Sequence, residues 1–108
     1  MKIIKHLYVG HMAEADKKTI IKELKTRSVQ AGIYVLTLPA GDSNILEIYP
    51  AFTLKFPLFR EEGRELVVIG IARGREEALE LSGMIAQDVY NRTGGFDLAS
   101  FIRDRRSP

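Results

Sequence analysis

Three short apolar runs, separated by charged segments, predict three β-strands. Residues 3–10 are rich in side chains that favour extended structure, and they end at a glycine. Residues 33–38 carry five apolar or aromatic side chains out of six, and residues 66–72 carry no polar side chain. Because the two later runs do not alternate between apolar and polar positions, we expect both strands to be covered on both faces of a sheet.

Apolar side chains at helical spacing predict three helices between and after these strands. In residues 14–30 they recur at Ile20 and Leu24 on a charged background, as in an amphipathic helix. Residues 75–92 repeat that spacing and precede two glycines, which favour a helix end. Residues 96–103 fit a last short helix.

The segment from residue 45 to residue 56 is compatible with two structures. Its first residues fit either a short helix or a strand, and its later apolar side chains alternate as in an edge strand. Pro50 interrupts either structure, because proline is costly inside a central strand. The sequence therefore leaves a short helix and an edge strand as alternatives.

The predicted element order is β-α-β-(short helix or edge strand)-β-α-α. Alternating strands and helices predict a small three-layer α/β fold, with an open, mainly parallel sheet and helices on both faces. A ferredoxin-like α+β arrangement is the alternative; it requires a true strand within 45–56 and another after the second long helix. We expect one domain over residues 1–104 and a frayed tail over residues 105–108.

Composition narrows the class of protein further. The 108 residues, 45% of them hydrophobic, predict one soluble domain with its own core. The absence of Cys excludes disulfides, thiolate nucleophiles and cysteine-based zinc sites. No apolar run is long enough to span a bilayer and the first residues lack the apolar stretch of a secretory signal, so we expect a cytoplasmic protein without a membrane partner.

The charge pattern gives no indication of nucleic-acid binding. Sixteen basic and fourteen acidic residues leave a net charge of +2, and the two signs alternate, as in residues 60–62 and 75–77. Nucleic-acid binders usually carry a basic stripe, so nucleic acid is not an expected partner. His6 and His11 lack the spacing of metal ligands, so we expect neither a metal site nor a cofactor.

Three glycine-containing loops follow the predicted strands, and they are where a ligand is expected. Ligands of open parallel sheets bind beyond the carboxyl ends of the strands, and in a parallel sheet all three loops would lie at one edge. There they would offer an imidazole, a carboxylate, a hydroxyl and two guanidinium groups to a small anionic ligand. The predicted ligand-binding residues are Gly10, His11, Gly41, Asp42, Ser43, Arg73, Gly74 and Arg75.

Two functions fit this pattern, and whether the chain is an enzyme stays open. One is a binding or interaction module without chemistry, which is favoured because no catalytic motif emerges. The other is a small enzyme that acts on a phosphorylated or carboxylated metabolite. In that enzyme His11 would be the acid or base and Asp42 would orient it, while Arg73 and Arg75 would clamp the anion.

An aromatic segment predicts self-association. A three-stranded sheet is smaller than usual, which favours completion by a second copy of the chain. Aromatic side chains are enriched in protein interfaces. We therefore expect a homo-oligomer, in the simplest case a dimer, through Tyr49, Phe52, Phe56 and Phe59.

Overall fold

The computed structural model describes residues 1–39, 45–56 and 66–106. Within these residues, four strands form one sheet: β1 (Lys2–Val9), β2 (Ile33–Thr37), β3 (Glu47–Pro50) and β4 (Val67–Arg73). Three helices pack on it: α1 (Lys17–Thr26), α2 (Arg75–Thr93) and α3 (Leu98–Arg106). The order of strands across the sheet is β1-β4-β2-β3.

The sheet is mixed. β1 and β4 run parallel, whereas β4 with β2 and β2 with β3 run antiparallel. The expected predominance of parallel pairing is therefore not found among the described strands. An unbroken apolar run indicates a strand that is covered on both faces of the sheet. A central strand is covered in this way whether it runs parallel or antiparallel to its neighbours, so the run does not predict strand direction.

The alternation of strands and helices and the three-layer arrangement are confirmed. Side chains along β4 alternate between the two faces of the sheet, so that Ile69 packs with α2 and α3 while Ile71 packs with α1. Each fully buried side chain of this size contributes roughly 1.5–3 kcal/mol of hydrophobic free energy. The resulting fold is a small α+β domain with a core on each side of one sheet.

Residues 45–56 contain both of the structures that the sequence left open. Glu47–Pro50 is the edge strand β3, and Ala51–Lys55 is a 3-10 turn that packs Ala51 and Leu54 into the core beneath α1. Pro50 lies at the junction, where its φ of −60° suits the start of the turn. After α2 the described residues form the helix α3 and no strand.

α1 and α2 both end at residues with left-handed backbone, but only α2 ends where the sequence predicts. Gly94, with a φ of 74°, ends α2. The first predicted helix is shorter than expected, because Glu14–Asp16 is a 3-10 turn and α1 stops at Arg27 with a φ of 58°. Among the described residues, no helix combines the length and the apolar character needed to cross a bilayer.

Candidate functional site

The first and third predicted loops meet at one edge of the sheet. The Gly10 N–H donates to the carbonyl oxygen of Ile71 over 2.9 Å, which places the end of β1 beside the end of β4. The Gly74 N–H donates to the Gly32 carbonyl oxygen over 2.7 Å. We call this region, residues 10–12 and 73–77, the strand-end edge.

The second predicted loop does not follow a strand that ends at this edge. The Leu38 N–H donates over 3.0 Å to the carbonyl oxygen of Val67, the first residue of β4, so β2 ends at the opposite side of the sheet. The expectation that all three strands end at one edge is therefore wrong for β2, because β2 runs antiparallel to β4. Gly41, Asp42 and Ser43 themselves lie outside the described residues.

Glu77 is the central group of the strand-end edge, although the sequence did not predict it. Its carboxylate accepts the Met12 N–H at Oε2 over 2.7 Å and the Arg73 N–H at Oε1 over 2.9 Å. The side chain is only 4% exposed. A carboxylate in the first turn of a helix also interacts favourably with the helix dipole. Glu77 thus joins the ends of β1 and β4 to the start of α2.

Gly10 leaves the space that this carboxylate occupies. A Cβ atom at Gly10 would overlap the Glu77 carboxylate. Gly10 was predicted as part of a ligand loop, and the structure gives it this packing role inside the chain. The signal for Glu77 was present in the helical spacing, because Glu77, Leu81 and Ile85 recur every fourth residue on the side of α2 that faces the sheet.

His11 lies next to Glu77 but faces solvent. Its Nδ1 is 3.5 Å from Glu77 Oε2, and its side chain is 78% exposed. Beside it is a cleft of about 380 Å³, whose lining includes Glu14, Glu77 and Glu80. Three carboxylates repel an anion, so this cleft is poorly suited to a phosphorylated or carboxylated ligand.

Arg73 is held by other side chains of the chain. Its Nη2 donates to Asp16 Oδ2 over 2.7 Å and to Gln30 Oε1 over 3.2 Å. These contacts tie the end of β4 to the turn before α1 and to the segment after it. Arg75, the other predicted anion clamp, is exposed at the first residue of α2. The structure thus brings His11, Arg73, Gly74 and Arg75 to one edge, but it assigns the Arg73 guanidinium to an internal contact.

A larger concave feature lies on the opposite flank of α2, between that helix and β3. This apolar groove has a volume of about 650 Å³. The Ser82 hydroxyl on its wall donates to the Leu79 carbonyl oxygen over 2.7 Å. The described residues that line the groove are Ile45, Leu46, Ile48, Ser82, Gly83, Ile85, Ala86, Val89, Phe96 and Leu98.

Aromatic side chains remain exposed in two places. Phe96 lies at the end of the groove, with its ring centroid 6.1 Å from that of Tyr90. Phe52 and Phe56 form an edge-to-face pair with centroids 5.9 Å apart on the turn that follows β3. Tyr49 is half-buried, with its hydroxyl donating to Glu47 Oε2 over 2.6 Å. Phe59, the fourth predicted interface residue, lies outside the described residues.

In the part of the chain that the structure describes, no group of three or more His, Cys, Asp or Glu side chains is arranged to hold a metal ion. The chain matches no protein-family model, no curated protein and no solved structure. Its function is therefore inferred from the strand-end edge and the apolar surfaces alone.

Proposed function

We propose that this chain is a small interaction module that associates with a second copy of itself and carries out no chemistry. One observation carries the proposal: the large apolar side chains left outside the core are clustered. Eight such side chains are exposed among the described residues. Four of them lie on the groove side of α2 or at the groove: Ile45, Leu79, Tyr90 and Phe96. Two more, Phe52 and Phe56, form the ring pair after β3.

The clustering is important because single exposed apolar side chains are common on protein surfaces and do not indicate a binding site. Tyr90 is 53% exposed and Phe96 is 65% exposed. Since an aromatic side chain can bury 150–250 Å², these two rings leave about 180–300 Å² of largely apolar surface in water. Apolar patches larger than a few hundred Å² usually mark interaction sites, and the apolar groove that Phe96 lines extends the surface of these two rings.

An enzymatic function is the second candidate, and the His11–Glu77 pair is the observation that favours it. A carboxylate 3.5 Å from Nδ1 can orient an imidazole as a general acid or base. A thermal-shift screen with phosphorylated and carboxylated metabolites tests this candidate. Stabilisation of the wild type that is lost in His11→Ala would support an enzyme at the strand-end edge, and no shift from any metabolite would remove that support.

Sedimentation velocity over a wide range of concentrations tests self-association directly. We expect the wild type to approach twice its monomer mass of 12.2 kDa at high concentration. Two double variants locate the surface: Phe52→Ser with Phe56→Ser tests the one that the sequence predicts, and Leu79→Ser with Tyr90→Ser tests the groove side of α2. A wild type that stays monomeric at every concentration would overturn the proposal.

A matched control separates self-association from a general loss of solubility or folding. Met12 is another exposed apolar side chain, 58% exposed, and it lies at the strand-end edge. Met12→Ser should leave the association unchanged, because neither apolar surface includes it.

A further inference from the structure

We propose that the second copy docks on α2, so that the two α2 helices run antiparallel about a two-fold axis and cross at Gly83 and Ala86. This assignment rests on the proposed self-association and names its interface. It also places that interface on a different surface from the aromatic segment that the sequence predicts. Three features of α2 support it: a second apolar stripe, the symmetry of that stripe and an unexplained glycine.

α2 has more apolar surface than its own chain covers. Ala78, Leu81, Ile85 and Val89 face the sheet and are buried. Between these residues lies a second set, with the spacing i, i+3, i+4, i+7 and i+11, which places its members along another side of the helix. This α2 outer stripe consists of Leu79, Ser82, Gly83, Ala86 and Tyr90. Leu79 and Tyr90 are each 53% exposed.

Four of the five residues in the outer stripe are placed symmetrically, with the larger side chains outside and the smaller ones inside. Leu79 and Tyr90 are equally far from its centre, and Gly83 and Ala86 are equally close to it. An antiparallel pair of helices related by a two-fold axis therefore brings Leu79 against Tyr90 of the second copy and Gly83 against Ala86. A two-fold interface requires such a self-complementary surface, since the same patch serves on both copies.

The distribution of sizes also suits helices that cross. Two packed helices are closest at the crossing point and separate towards their ends, and the distance between their axes depends on the side chains at the contact. Gly83 and Ala86 allow a close approach at the centre of the stripe. Leu79 and Tyr90 fill the space where the helices separate.

Gly83 has no explanation within a single copy. Glycine in a helix interior costs stability relative to alanine. Among the described residues, a Cβ atom at Gly83 would meet nothing within 4 Å, whereas one at Gly70 would come within 3.3 Å of Leu81. The packing of the monomer therefore leaves room for a side chain at Gly83, and close approach of another helix gives a reason for its absence.

The groove beside the stripe favours a second copy over a charged partner. None of the described residues that line the groove is Lys, Arg, Asp or Glu, and the net charge of +2 gives little repulsion between copies. Ile45 and Phe96, which line the groove together with Gly83, are 77% and 65% exposed. The nineteen residues of α2 span about 28 Å, a length similar to the smallest extent of the molecule, 27 Å.

Cysteine cross-linking tests the register of the pair, because the natural chain has no Cys to compete. Leu79→Cys and Tyr90→Cys proteins are treated with a short bismaleimide, separately and as a mixture. In the proposed pair, two copies of position 79 are separated by roughly 16 Å along the axis, whereas position 79 lies beside position 90 of the second copy. We expect the mixture to form cross-linked dimers and each protein alone to form few.

Two further variants complete this experiment. Ala86→Cys alone should cross-link to itself, because Ala86 lies near the two-fold axis and already carries a Cβ atom. Gln87→Cys, which is exposed on the polar side of α2, should not. Circular dichroism of each variant checks that it has folded.

The outcomes separate this inference from the proposed function. A wild type that dimerises while the mixture forms no more cross-links than the separate proteins would overturn the α2 pairing and leave self-association standing. Cross-linking of Leu79→Cys to itself as readily as to Tyr90→Cys would overturn the antiparallel register. A monomeric wild type would overturn the proposed function as well.

Discussion

The strand-end edge and the outer stripe of α2 lie on opposite flanks of the same helix and differ in how their groups are used. At the edge, the Glu77 carboxylate and the Arg73 guanidinium are both bonded within the chain. On the stripe, Leu79 and Tyr90 remain half-exposed. The polar residues at this sheet edge suggest a ligand site in the sequence, but in the structure they make contacts within the chain. The exposed surface on the other flank of α2 is apolar.

The difference has an energetic basis. A backbone N–H that is shielded from water must find an acceptor, and leaving it without one costs about 1–3 kcal/mol. The Met12 and Arg73 N–H groups meet this requirement through Glu77. An exposed apolar ring has no such requirement within the monomer, and it gains free energy only when a partner covers it.

The largest expected effect is the loss of the Glu77 carboxylate. Glu77→Ala leaves the Met12 and Arg73 N–H groups without their acceptor, so we expect the free energy of unfolding to fall by about 3 kcal/mol. Urea denaturation measures this change. The neighbouring exposed Glu76 supplies the control, since Glu76→Ala should stay within about 0.5 kcal/mol of the wild type. Equal effects of the two substitutions would contradict the supporting role of Glu77.

A side chain at Gly10 should disturb the same contact. The Cβ atom in Gly10→Ala would displace the Glu77 carboxylate, so we expect a loss of about 2 kcal/mol. A double-mutant cycle identifies the cause. With Glu77→Ala already present, the same Gly10→Ala change should cost little, because the displaced group is gone. Additive effects in the cycle would show that Gly10 has some other role.

On the open side of α2, a substitution should instead stabilise the monomer. Gly83→Ala should raise the free energy of unfolding by about 1 kcal/mol, because alanine favours the helix and its Cβ meets no neighbour in the part of the chain that the structure describes. Denaturation at low concentration, where association is negligible, measures this gain. Gly10→Ala is the contrasting variant and should destabilise, since its Cβ would overlap the Glu77 carboxylate. A loss of stability in Gly83→Ala would mean that the monomer itself requires this glycine.

The smallest effect is expected at the rim of the groove, where Asp97 precedes α3. Hydrogen bonds from the Ser100 hydroxyl and backbone N–H hold the pKa of Asp97 below its ordinary value of 3.8. The charged carboxylate therefore stabilises α3 above that value, and the stabilisation is lost as the pH falls through the lowered pKa. We expect Asp97→Ala to lower Tm at neutral pH, and the difference from the wild type to shrink in acid. A difference that stays constant with pH would exclude this role of the charge.

Much of the fold could be predicted from local pattern. The spacing of Ile20 and Leu24 placed α1, and the unbroken apolar run at 66–72 placed β4 at the centre of the sheet. Strand direction could not be predicted, because burial on both faces does not depend on it. As a result, the end of β2 was assigned to the wrong edge.

The candidate site was harder to predict because its central group depends on long-range contacts. Glu77 accepts N–H groups from Met12, 65 residues away in the chain, and from Arg73. A glutamate in the first turn of a helix is common and is usually exposed. In the sequence, only the four-residue spacing between Glu77 and Leu81 indicates that Glu77 is buried. The apolar groove was not predicted, since it forms where β3 and α2 meet and neither element alone shows it.

Concentration-dependent NMR of the backbone amides and methyl groups tests the central claim most directly, because it reads both regions in one sample. We predict that signals of Leu79, Ala86 and Tyr90 shift as the concentration rises, while the amide signals of Met12 and Arg73 stay fixed and protected from exchange. Shifts confined to the strand-end edge, or a spectrum that does not change with concentration, would contradict the account.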